Sequence, residues 1–170
     1  MLGFLFRGLT AEPERGAALF ARLTTETRQI HWYIEGSVPD SIDGRFAVLA
    51  SLTALAVVRL EQGGETGKNM SVALTERFIE VMEAEHREMG IGDPTLGRQV
   101  RRLVGSLSRR ADLWRTAIQE ETDWNEAARG SLYKEGVSGD ALVHSAAALR
   151  EFWSRLLESD LKGLATGELA

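Results

Sequence analysis

The chain contains no cysteine, so disulfide staples and thiolate chemistry are excluded. Three prolines leave long segments free to be helical. Three histidines give a thin stock for acid–base or metal chemistry. The net charge of −5 carries no global bias toward nucleic acid or acidic lipid, so any such contact must come from a local patch. Long hydrophobic runs are missing too. The longest uncharged apolar run, residues 46–58, amounts to about 20 Å of helix, well short of the roughly 20 residues that a membrane span needs. The opening MLGFLFRGL is apolar, but too short for a signal-peptide core with a cleavage site and without the Arg- and Ser-rich pattern of a transit peptide. These features predict a soluble, cytoplasmic chain.

What is present suits one helical domain. At 170 residues and 44% hydrophobic content, the chain is sized for a single core. Residues 1–10 read as an amino-terminal segment, flexible or membrane-touching, and 11–170 as the folded domain. No strand period appears. The apolar spacing predicts an all-α fold, a compact bundle of about six helices. Their expected spans are 12–35, 40–62, 69–89, 93–119, 122–136 and 140–164. Thr10 and Pro13 mark the first start, Asp40 or Ser41 the second, Asp93 with Pro94 the fourth, Thr122 or Asp123 the fifth and Asp140 the sixth. Gly63-Gly64 and Gly90-Ile-Gly92 read as stops. In the fourth helix Val100, Leu103, Val104, Leu107, Ala111, Trp114 and Ile118 form one stripe. In the last, Leu142, Leu149, Phe152, Trp153, Leu156 and Leu164 do so. The second helix is apolar all round through Phe46, Val48, Leu49, Leu52, Leu55, Val57, Val58 and Leu60, which places it at the centre.

Catalytic signatures are lacking. Glu83-Ala-Glu-His86 spells a single Glu-x-x-His, whereas di-iron bundles need two copies and two further carboxylates. His86 therefore reads as a boundary residue beside Met82 and Met89. His144 falls opposite its apolar stripe and reads as solvated, and His31 sits at a stripe edge. No G-x-S-x-G elbow, P-loop or strand-preceded glycine loop occurs. Neither enzyme activity, cofactor nor metal is expected. Two charge features remain. Glu85 shares a face with Leu74, Phe78, Met82 and Met89, so either Arg45 partners it or its head reaches water at the rim. Arg98, Arg102 and Arg109 line up opposite the apolar stripe of the fourth helix, with Arg101, Arg110 and Arg115 beside them. That patch suits an anionic surface, ribosomal RNA or phospholipid headgroups, or else is a solvated face. Without interleaved aromatics it cannot read bases, so no sequence-specific nucleic acid is expected. Trp32, Tyr33, Trp124, Phe4 and Phe6 are candidates for apolar surface left over after core formation.

Two stretches carry a resemblance. Residues 38–59 read VPDSIDGRFAVLASLTALAVVR and residues 88–98 read EMGIGDPTLGR. Val38, Pro39, Asp40, Asp43, Gly44, Arg45 and Phe46, followed by Arg87, Glu88, Met89, Gly90, Gly92 and Asp93, resemble the ubiquinol–cytochrome c chaperone family. Gly97, Val100, Arg110, Leu132 and Tyr133 extend the likeness. Leu52 stands where family members usually have histidine, and Leu107-Ser108 where they tend to have Phe-Tyr. The resemblance implies a non-enzymatic assembly factor that binds nascent cytochrome b on its way to ubiquinol–cytochrome c reductase. It also implies action near the ribosomal tunnel exit or at the cytoplasmic face of the inner membrane, with a small partner subunit. The competing expectation is a peripheral membrane or ribosome-associated helical protein with a different client.

Overall fold

The computed structural model describes residues 16–90 and 92–170. Among them are seven α-helices and no strand: α1 (Ala17–Thr27), α2 (Ile42–Glu61), α3 (Gly64–Glu88), α4 (Asp93–Gln119), α5 (Trp124–Leu132), α6 (Gly139–Glu158) and α7 (Leu161–Thr166). A single 3-10 turn, Ile30–Trp32, lies between α1 and α2. The expected all-α bundle is the observed architecture.

The centre is α2, which packs against α1, α3, α4, α5 and α6. Leu52, Leu55 and Leu60 have no exposed surface, and Ala50, Ala54 and Ala56 let the surrounding helices approach closely. Each fully buried leucine is worth about 2 kcal/mol of apolar transfer. Close approach is visible at the end of α2 as well. A Cβ on Gly67 would lie 2.0 Å from the Leu60 carbonyl oxygen, so α3 can cross there only with glycine. Arg59, in the same last turn of α2, reaches across to α6. Its Nε donates to the Leu156 carbonyl and its Nη2 to the Ser159 carbonyl, both at 3.0 Å, satisfying terminal acceptors of α6.

Several boundaries differ from the sequence reading, each for a local reason. The first helix ends at Thr27, not near residue 35. The Trp32 indole donates to the Glu26 carbonyl and the Tyr33 hydroxyl to the Thr27 carbonyl, at 3.0 and 2.7 Å. Those side chains satisfy the final acceptors of α1, so the chain can turn. Gly63-Gly64 is a two-residue corner rather than a long break. Gly64 takes φ +66° and α3 begins there instead of near residue 69. Ser138, not Asp140, caps α6, accepting from the Ala141 amide. The last helix is two: Ser159 leaves the helical region and Asp160 caps α7 through the Gly163 amide. Gly92 holds the cap position of α4, with Asp93 as its first residue. The Asp93 and Pro94 side chains, Ile91, Thr10, Pro13, Phe4, Phe6 and the whole 1–10 segment lie outside the described residues. Ser41 and Asp123 cap α2 and α5 as the sequence suggested.

Candidate functional site

The turn into α2 is built from contacts between its own residues and the bundle. Val38 is 1% exposed and its amide donates to the Trp32 carbonyl at 3.0 Å. Pro39 turns the chain on the surface, and its carbonyl lies over the first turn of α2. A Cβ on Gly44 would come 1.8 Å from that oxygen. Ser41 accepts from the Gly44 amide at 3.1 Å, capping the helix. Asp40 accepts from Arg45 Nε at 2.7 Å, and the Arg45 guanidinium lies over the Tyr33 ring, 5.7 Å from its centroid. Arg45 is therefore taken by Asp40, and it does not partner Glu85, which is exposed. Asp43 in the first turn accepts from Lys134 Nζ at 2.7 Å. The hydrogen bond and charge of that ammonium hold the Asp43 carboxyl below its ordinary pKa. Phe46 is half-buried and meets the Phe78 ring at 6.0 Å between centroids.

Behind Phe46 lies a buried polar cluster that joins α2, α4 and α5. Arg110 is 6% exposed, so it leaves the surface patch to which sequence spacing had assigned it. Its Nε donates to the Ser131 carbonyl at 3.0 Å and its Nη1 to Ser106, while its guanidinium stands 5.8 Å from the Phe46 ring centroid. Ser131 lies in the last turn of α5, where unpaired carbonyls carry partial negative charge, so the helix end supplies what a carboxylate would. Burial, with Arg109 adding a smaller push, lowers the Arg110 pKa to about 10. The guanidinium is thus still charged at neutral pH. Ser131 Oγ also accepts from Trp114 Nε1 at 3.2 Å and shares a hydrogen bond with Ser51 Oγ at 2.5 Å. The sequence does carry a signal for this burial. Arg110 stands seven after Leu103, three after Leu107 and four before Trp114, inside the apolar stripe.

The second family segment is held differently. Met89 closes α3 and is half exposed, and Glu88 is exposed. Gly90 takes φ +81°, the left-handed end that glycine favours after a helix. Beyond it, Arg98, Arg101 and Arg102 are exposed on the first turns of α4, with no ion pair among the described residues. Arg109 is exposed but bonded to the Gly130 carbonyl at 3.1 Å. Arg115 is engaged by Glu61, at 2.8 and 2.9 Å, and by Asp112. The structure keeps Arg98, Arg101 and Arg102 together and assigns Arg110 and Arg115 to internal bonding.

The aromatic residues expected as surplus surface are largely consumed. Trp32 and Trp124 are 3% and 9% exposed, and Tyr33 is half-buried. The most exposed large apolar side chains are instead Ile30, Ile34 and Ile42, between 66 and 73% exposed, while Val72, Met89, Val143 and Leu157 are about half exposed on other elements. The three isoleucines flank the turn into α2, and the helical pattern over 12–35 includes two of them, so sequence spacing does not single them out. His86 Nδ1 lies 2.6 Å from the Met82 carbonyl, four residues back on its own helix, and is a boundary residue. His144 is half-buried and faces His31 rather than water. Among the described residues no group of three or more His, Asp or Glu could hold a metal ion, and no helix is long and apolar enough to cross a membrane.

An all-helical bundle whose entry turn and corner carry a shared signature defines a class by fold. The ubiquinol-cytochrome C chaperone family model matches residues 35–124, just over half of the chain, and the chain belongs to that family. Its place is thus with chaperones of respiratory-complex assembly. The crystal structure of the Cbp3 homolog from Brucella abortus shares the fold, with a TM-score of 0.78, 20% identity, and coverage of 100% of this chain and 96% of that one. No protein of curated function matches the sequence.

Proposed function

We propose that the chain binds newly made cytochrome b and promotes its assembly into ubiquinol–cytochrome c reductase, without catalysis or a cofactor. Family membership supports the reading, and one observation carries it. Ile30, Ile34 and Ile42 are exposed beside a turn that Val38 and its amide anchor to the bundle. Exposed large aliphatic side chains on an anchored scaffold suit a client that is an apolar, unfinished membrane protein. The proposed working domain is 11–170. Arg98, Arg101 and Arg102 are proposed to hold it against an anionic surface, the ribosomal tunnel-exit region or lipid headgroups at the cytoplasmic face of the inner membrane. A small partner subunit, proposed from the family resemblance, would bind the same domain.

The test is co-purification. The tagged chain, expressed in its native cell, is captured with stalled ribosomes, and the nascent chains are identified. Cytochrome b should be enriched, and Ile30→Glu with Ile34→Glu should lose it while the fold is kept. Enrichment of other membrane proteins without cytochrome b would favour a binding protein with a different client. Flotation with anionic vesicles in the absence of ribosomes would make lipid the anchoring surface.

A further inference from the structure

A groove of about 390 Å³ runs between the 28–36 connector and α6, and two of the three histidines line it. Nδ1 of His31 lies 3.1 Å from Nε2 of His144. The neighbouring bonds decide which tautomers meet. Gln29 Nε2 donates to Glu26 Oε2 at 2.5 Å, which turns Gln29 Oε1 toward His31 Nε2, 3.2 Å away. The reverse amide orientation would set an oxygen against a carboxylate. An amide oxygen can only accept, so Nε2 of neutral His31 carries the hydrogen and its Nδ1 is bare. His144 must then donate from Nε2. The far end of the chain of bonds is fixed: Glu26 is 5% exposed, accepts both Arg155 Nη groups at 3.0 and 3.1 Å, and pairs with Arg22 at 2.9 Å.

We propose that His31 and His144 form a proton-operated latch between the connector and α6, closed with no or one extra proton and opened by a second. With His31 Nδ1 accepting, the ring nitrogen that the pair leaves open for one extra proton is His144 Nδ1. The imidazolium so formed still donates Nε2–H to the bare Nδ1 of His31. The second proton has only His31 Nδ1 left to occupy. Two N–H groups and two positive charges then face each other, and neither can accept. Glu26 from α1, Glu35 from the connector and Glu151 from α6 favour the charge, while Arg155 and Arg22 are engaged by Glu26. Burial first, and the His144 charge second, nonetheless hold the His31 pKa below its ordinary value. The sign follows. An unfolded histidine takes its proton first, so the folded state loses stability as pH falls below about 6.5. What opens is the turn that presents Ile30 and precedes Ile34, and the device stands whether or not that surface holds a client.

The test uses the full chain, with chelator present, and follows both imidazoles by 15N NMR from about pH 7.5 to about pH 5. Neutral His31 should show the Nε2–H tautomer, and the pair should titrate in two steps. With the second step, amide exchange at residues 30–36, corrected for its intrinsic pH dependence, should rise. Gln at position 144 can turn its amide to donate or accept, so His144→Gln should leave exchange flat with pH. His144→Ala should raise it roughly tenfold already at neutral pH. An Nδ1–H tautomer of His31, or wild-type exchange that follows only the intrinsic dependence, would overturn the latch. So would loss of both imidazole signals with one equivalent of zinc in chelator-free buffer, which would make the pair a metal site.

Discussion

A Cβ built on Gly44 would lie 1.8 Å from the Pro39 carbonyl oxygen, whereas one built on Gly90, Gly92 or Gly97 would meet nothing within 4 Å. Both regions carry the family's signature, and they are constrained in opposite ways. In the entry turn Val38 is buried, Asp40 holds Arg45, Asp43 holds Lys134, and Phe46 packs against Phe78 under Arg110. Val38, Gly44 and Phe46 follow from packing, and the two exposed ion pairs tie the turn together at the surface. Around the corner between α3 and α4 the packing demands little. Gly90 needs its left-handed backbone, Leu96 is buried, and the arginines that follow face solvent. We propose that these exposed arginines, which the fold does not require, serve binding.

The contrast can be broken by substitution, beginning with the largest effect. Gly44→Ala replaces glycine inside a helix, a change that usually stabilises. Here it drives a methyl into a carbonyl and should cost about 3 kcal/mol in urea unfolding. A loss below about 1 kcal/mol would mean that the turn can give way, and the entry motif would lose its structural explanation. Gly90→Ala meets no neighbour but must adopt positive φ, so about 1 kcal/mol should be lost. A loss as large as that of Gly44→Ala would show packing at the corner that the contrast denies. Gly97→Ala lies inside α4 in open space and should stabilise by about 0.5 to 1 kcal/mol. Destabilisation there would put a neighbour where none is seen.

What the sequence could show depended on whether the deciding contact was local. The central burial of α2 was readable because apolar residues surround its axis, and the Ser41 and Asp123 caps because a cap reaches only two or three residues ahead. The end of α1 was not, since nothing between Thr27 and Glu35 breaks a helix by propensity. Trp32 and Tyr33 turn the chain by side-chain bonds six residues back to α1, contacts that override a weak helix propensity and leave no mark on the apolar periodicity. His144 reads as solvated for a different reason: its partner is 113 residues away in sequence. Arg110 was a different failure. Its position falls in the apolar stripe, but its charge suits a solvent-facing site, and the acceptor at the end of α5 that makes burial possible lies 21 residues further on.

Arg98, Arg101 and Arg102 are proposed to serve binding and not the fold. Replacing all three with glutamate and comparing salt-dependent co-sedimentation with ribosomes and anionic vesicles against thermal unfolding tests it most directly. The melting temperature should stay within about 2 °C of wild type, because exposed unpaired side chains contribute little. Wild-type binding should weaken steeply with salt, as each neutralised phosphate releases counterions, and the triple variant should not bind at low salt. A variant that binds like wild type, or that unfolds, would contradict the claim.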